Sequence, residues 1–108
     1  MTHATLEQLT LHPDALEEFV EAARWYEAEV VGLGARFQAA VEAVLEAVLE
    51  QPRTGSPLLL AGRATPYRIR RARRFPYAVV YRELGNGVLV VAIAHARRRP
   101  SYGLERDE

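Results

Sequence analysis

The chain has 108 residues, 49% of them hydrophobic and 26% charged, which is enough for one core and too apolar for disorder. It contains no Cys, which excludes a disulfide framework, thiolate zinc sites and thiol catalysis. Its formal net charge is zero, yet residues 1–51 carry ten acidic residues against two Arg, and residues 52–108 carry twelve Arg against four acidic residues.

No apolar run reaches membrane-spanning length, and Met1 to Leu11 lacks the basic and apolar regions of a signal peptide. A cytoplasmic protein with one domain over residues 1–104 is expected. Thr5 to Leu11 alternates weakly and predicts a strand. His12-Pro13-Asp14 reads as a helix start, because Pro suits the first helical position and the acids of the first turns favour the positive dipole end. Leu16, Phe19, Val20, Ala23, Tyr26 and Val30 keep the spacing of one buried face, predicting a helix to about Glu29 that stops before Gly32.

After a connector at Gly32-Leu33-Gly34, a second helix carries Phe37, Val41, Val44, Leu45, Val48 and Leu49 on one side. Glu42, Glu46 and Glu50 lie on the other. It ends near Gln51-Pro52 and pairs with the first helix as an antiparallel hairpin. Pro52 to Pro66 reads as a loop punctuated by Pro and Gly, with Leu58 to Leu60 tucked under the domain. Three strands follow, over Tyr67 to Arg74, Tyr77 to Glu83 and Val88 to His95, the last apolar enough to be central. Asn86-Gly87 reads as a two-residue hairpin turn with positive φ at both positions. The acidic end, residues 105–108, is expected to fray. The order βααβββ predicts an α+β fold, with the helix hairpin on one face of a small, mainly antiparallel sheet.

The candidate chemistry is basic. Arg68, Arg70, Arg71, Arg73, Arg74, Arg82, Arg97, Arg98 and Arg99 are interleaved with Tyr67, Phe75, Tyr77, Tyr81 and Tyr102. Arg68, Arg70, Arg82 and the tail are expected to share one positive face, suited to a phosphate backbone or an acidic protein segment. The plainer reading is a solvated face whose Arg stems cover apolar surface. There is no Lys, so no amine can be tuned into a general base. His95 could carry a proton near neutral pH or simply cap a strand end. His3 and His12 lack partners at ligand spacing, so no metal is expected, and no cofactor motif is present. Ser56 and Ser101 lack a nucleophile-elbow context.

Several segments resemble the RelE/ParE superfamily of bacterial type II toxins. They are Ala22-Ala23-Arg24-Trp25-Tyr26, Gly34-Ala35-Arg36-Phe37, Gln51-Pro52, Tyr67-Arg68-Ile69-Arg70, Phe75 to Arg82, and Ala94 to Tyr102. The resemblance implies a cognate antitoxin, a toxin–antitoxin hetero-oligomer, and one of two activities. RelE-like members cleave mRNA on the ribosome, and ParE-like members poison DNA gyrase.

Carried over by position, the nuclease branch's second-strand basic residues fall on Arg68 and Arg70, and its terminal Tyr on Tyr102. Its central Arg falls on Ala78, and the basic residue expected after His95 falls on Ala96. The resemblance therefore points to the ParE-like side, with Arg68, Arg70, Arg82, Arg97, Arg98, Arg99 and Tyr102 binding target or antitoxin. The alternatives are a ribosome-dependent mRNA endonuclease with an atypical site of Arg68, Arg70, Arg82, His95 and Tyr102, and a non-toxic binding module of the same fold.

Overall fold

A computed structural model describes residues 8–99 and 101–107. Strand β1 spans Leu9–Leu11, so the N-terminal part of the expected Thr5–Leu11 strand lies outside the described residues, as does His3. Helix α1 spans Pro13–Glu29. Its start is built as the sequence suggests: Pro13 opens the first turn, and the Asp14 N–H donates to His12 Nδ1 at 3.0 Å.

Which face of α1 is buried differs from expectation. Leu16, Val20 and Val30 are exposed, whereas Ala15 and Ala22 are buried and Phe19, Ala23 and Tyr26 pack against the core. The helix turns its small residues to the sheet, and Glu18 rides on the same side. A periodic pattern containing both Ala and Leu does not say which side packs, because small side chains allow the closer approach.

Helix α2 spans Leu33–Glu50, so Leu33 and Gly34 belong to its first turn rather than to the connector. Phe37, Val41, Val44, Leu45 and Val48 are buried as expected. Glu27 reaches from α1 to accept the N–H groups of Gly32 and Gly34, satisfying donors that a helix start leaves open. Gly34 is needed for this approach, since a Cβ there would sit 2.6 Å from the Ala23 carbonyl oxygen. Phe37 anchors an aromatic cluster, with ring centroids 5.0–6.0 Å from Phe19, Tyr26, Phe75 and Tyr77.

A 3₁₀ turn at Pro52–Thr54 leads into β2 at Ser56–Leu60, followed by β3 (Arg63–Arg71), β4 (Tyr77–Leu84) and β5 (Gly87–His95). The expected loop over 52–66 is thus largely β-structure, and βααβββ becomes βααββββ. β2 is an edge strand, where Pro57 is tolerated because one side of an edge needs no ladder donor. The β2–β3 turn is Ala61-Gly62, both at positive φ (53° and 77°), and Ala is not a residue that announces such a turn. The β4–β5 turn falls at Gly85-Asn86, and neither residue has positive φ, so the expected turn type is not used.

The sheet order is β1-β5-β4-β3-β2, antiparallel except that β1 runs parallel to β5 (Leu9↔Val88, Leu11↔Val90). The helix hairpin supplies the crossover that a parallel pair requires. It covers one face, meeting Val79, Tyr81, Val88, Val90 and Ile93. The opposite face buries Val80, Val91, Ala92 and Ala94 beneath Tyr67, Ile69, Leu89, Tyr102 and Leu104. The expected α+β arrangement is therefore observed, with one more strand.

The acidic end, expected to fray, carries a described turn as far as Asp107. Leu104–Asp107 forms a 3₁₀ turn in which Asp107 pairs with Arg82 and Arg106 pairs with Glu18. Those partners come from β4 and α1, far away in sequence.

Candidate functional site: the basic end of the sheet

The register decides where each Arg points. Arg68 lies opposite Tyr81 and Arg70 opposite Val79, on the helix-covered face, whereas Arg82 lies opposite Tyr67 on the other face. The expected single surface of Arg68, Arg70 and Arg82 is therefore not formed.

Each of the three has a local task. Arg68 Nη1 donates to the carbonyls of Gly55 (2.8 Å) and Arg53 (3.2 Å), and Arg70 Nη1 donates to Thr54 Oγ1 at 2.7 Å. Both hold the 3₁₀ turn after α2. Tyr81 does the same from below, donating its hydroxyl to the Pro52 carbonyl at 2.7 Å and accepting the Gly55 N–H at 3.0 Å. Arg82 and the Tyr67 hydroxyl converge on the Asp107 carboxylate. The Arg82 hydrogen bond, helped by Tyr67, holds Asp107 below the usual Asp range. Burial, followed by the bond to Asp107, pushes the Tyr67 phenol up to about 12.

Tyr102 is similarly committed. Its hydroxyl donates to Glu18 and accepts from Arg106 Nη2 at 3.0 Å, and the Arg98 and Arg106 guanidinium groups both lie over its ring, 4.8 and 4.9 Å from the centroid. The Glu18 bond and burial raise its pKa. Burial works against the charged form of Glu18, but bonds from Arg106, Tyr102 and the Ile93 N–H outweigh it and lower the pKa. Glu18 thereby caps β5 beyond the last residue of β1. Sequence reading missed this knot of Glu18, Arg106 and Asp107, because Glu18 resembles an ordinary dipole-stabilising acid and the tail an acidic end.

His95 ends β5 on the helix side, edge-on to Tyr77 at 5.4 Å, with Nδ1 accepting the Arg97 N–H at 3.1 Å. It borders two hollows. One, about 570 Å³, is walled by Asp14, Glu17, Glu18 and Glu21 of α1 on one side and by Arg98, Tyr102 and Arg106 on the other. The other, about 60 Å³, lies on the far face beside Ala78, Ala96 and Arg99, and is well below the roughly 300–1,000 Å³ of a ligand pocket.

The exposed Arg gather at one end of the sheet instead of on one face. The Ala96 N–H donates to the Pro76 carbonyl at 2.7 Å, joining the β3–β4 loop to the turn after β5. Arg71, Arg73 and Arg74 come from the first segment, and Arg97, Arg98 and Arg99 from the second. All six are exposed, and among the described residues none is in an ion pair. Among these residues no group of His, Asp and Glu is arranged to hold a metal ion. The end offers fixed positive charge, with the His95 imidazole beside it.

The architecture can now be placed. A chain of the chromosomal ParDE TA system from P. aeruginosa superposes with a TM-score of 0.66 at 12% identity, covering 82% of this chain and 94% of that one. The fold is thus the ParE-like α+β fold. The family model for the ParE toxin of type II toxin–antitoxin system, parDE, matches residues 9–100, and the chain belongs to that family. Among curated proteins, no sequence matches the chain.

Proposed function

We propose that the protein inhibits growth by binding an essential protein target, DNA gyrase, and that a cognate antitoxin silences it in a hetero-oligomer. The observation that carries this reading over RNA cleavage is the surroundings of His95. A scissile phosphate beside that imidazole would meet the carboxylates of Asp14, Glu17 and Glu21 across the larger hollow, where Arg106 is already paired with Glu18 and Arg98 is the remaining cation of the lining. The positions able to clamp it are Ala78 and Ala96, while Arg68, Arg70 and Arg82 are engaged on opposite faces. Phosphate stabilisation beside His95 therefore rests on the exposed Arg98 and Arg99 instead of a fixed clamp, a poorly preorganised setting for that chemistry. Exposed Arg without ion pairs among the described residues suit recognition of carboxylates as well as phosphates, so the choice between the two rests on the acidic wall beside His95.

The test measures gyrase supercoiling and ribosome-dependent mRNA cleavage with the purified protein. Inhibited supercoiling with intact mRNA is expected, unchanged in His95→Ala. Cleavage of ribosome-bound mRNA that His95→Ala reduces by about 10²-fold or more, as loss of a proton donor would, establishes the nuclease instead.

A further inference from the structure

A third hollow, about 710 Å³, opens between the start of α2 and the β3–β4 loop. Its floor is apolar, made by Tyr26, Leu33, Ala39, Ala40, Phe75 and Pro76, and its charged lining is Arg36, Arg73 and Arg74. No carboxylate lines it. It is separate from the His95 hollows, shares no lining residue with them, and is large enough for several side chains.

The backbone at this spot is unusual. Arg74 has φ 71°, in the left-handed region where Gly or Asn would fit with less strain. A strained position that nonetheless carries Arg indicates use of the side chain. Arg36, Arg73 and Arg74 are exposed and lack ion pairs among the described residues.

We infer that this hollow is a docking site for an extended acidic peptide segment of a protein partner, with a large apolar side chain seated on Tyr26 and Phe75 and flanking carboxylates on the three Arg. Charge complementarity selects this occupant, since three unpaired guanidinium groups frame an apolar seat. A nucleic acid fits less well. The outer faces of the adjoining helices are acidic, with Glu29, Glu42 and Glu46 exposed, and would repel a backbone running out of the hollow. Phe75 and Tyr26 also meet edge to face, 5.0 Å apart, and present no stacking platform. The inference needs only the fold and holds whichever target the toxin engages.

The test is NMR titration of the full chain with a capped hexapeptide of Asp and Glu flanking Trp and Leu. Two probes compete with it: the same peptide with Asn and Gln in place of the acids, and oligouridylate. Shifts at Ala39, Ala40 and Arg73 to Phe75 are expected with the acidic peptide, weakening between about 50 and 500 mM salt. Each of Arg36→Gln, Arg73→Gln and Arg74→Gly should weaken binding roughly 1.5- to fivefold, the range of an exposed ion pair. Arg74→Gly is also expected to keep or raise the thermal midpoint, because it relieves the left-handed strain. That separates lost recognition from lost folding. Equal binding of the neutral peptide, full binding by the triple variant, tighter binding of oligouridylate at these amides, or no shift with any probe overturns the inference.

Discussion

Tyr81 shows how one side chain can connect two parts of the fold. It is fully buried in β4, and its hydroxyl serves both the Pro52 carbonyl and the Gly55 N–H. Burial is the main cause of its raised pKa, so it stays a neutral donor across the ordinary pH range. Tyr81→Phe leaves the ring in place and strands two backbone groups beneath the 3₁₀ turn. The expected cost is about 1–3 kcal/mol, or roughly 4–8 °C in thermal midpoint for each kcal/mol. An unchanged midpoint would mean that water reaches the turn. Near this residue the sequence was only partly legible. Pro52 and Gly55 announced a break in the chain, but nothing local showed that a Tyr 26 residues after Gly55 would bind it.

At the scale of elements, the C-terminal turn holds the sheet's second face closed. Leu104 and Tyr102 cover Val80, Val91, Ala92 and Ala94, while Asp107 and Arg106 fasten the turn to Arg82 and Glu18. Both carboxylates have lowered pKa values in the fold. Their contribution is therefore fully present above the pKa values of the unfolded chain and is lost as pH falls through the lower folded values. Acidification from neutral pH should release the turn and let a hydrophobic dye bind the uncovered face before the helices melt. Asp107→Asn should produce part of that release at neutral pH. Dye binding that begins only with loss of helical circular dichroism would show that the turn is no separate unit. β2 makes the same point in another way. The Pro and Gly in and around it suit a loop by local rules, and pairing with β3 makes it a strand.

For the whole molecule, the division of charge along the sequence becomes a division in space. Acidic residues line the outer sides of α1 and α2, and exposed Arg without ion pairs among the described residues lines one end of the sheet. If that end engages the toxin's protein target, neutralising Arg97, Arg98 and Arg99 one after another should weaken growth inhibition in steps, with no single residue indispensable. Each step should also flatten the dependence of the partner's association rate on salt. Toxicity abolished by one of the three and untouched by the others would point to a single specific contact. The segregation itself is written in the composition of the two halves, but which six Arg gather at the end of the sheet depends on the fold.

By itself the sequence determined the two helices, the antiparallel order of β3, β4 and β5, the family resemblance, and the lack of thiol chemistry. These rest on local facts: 3.6-residue periodicity, β-branched runs, turn residues and residue type. Only the tertiary structure decided which face of α1 packs, that residues 56–60 form an edge strand, that the acidic end is fastened, and that Arg82 lies across the sheet from Arg68 and Arg70. Side chains alternate along every strand, so a shift of one residue in pairing moves a charge to the other face. Pairing is set by partners distant in the chain. Asp107 meets Arg82 across 25 positions and Arg106 meets Glu18 across 88, and no local pattern records either contact.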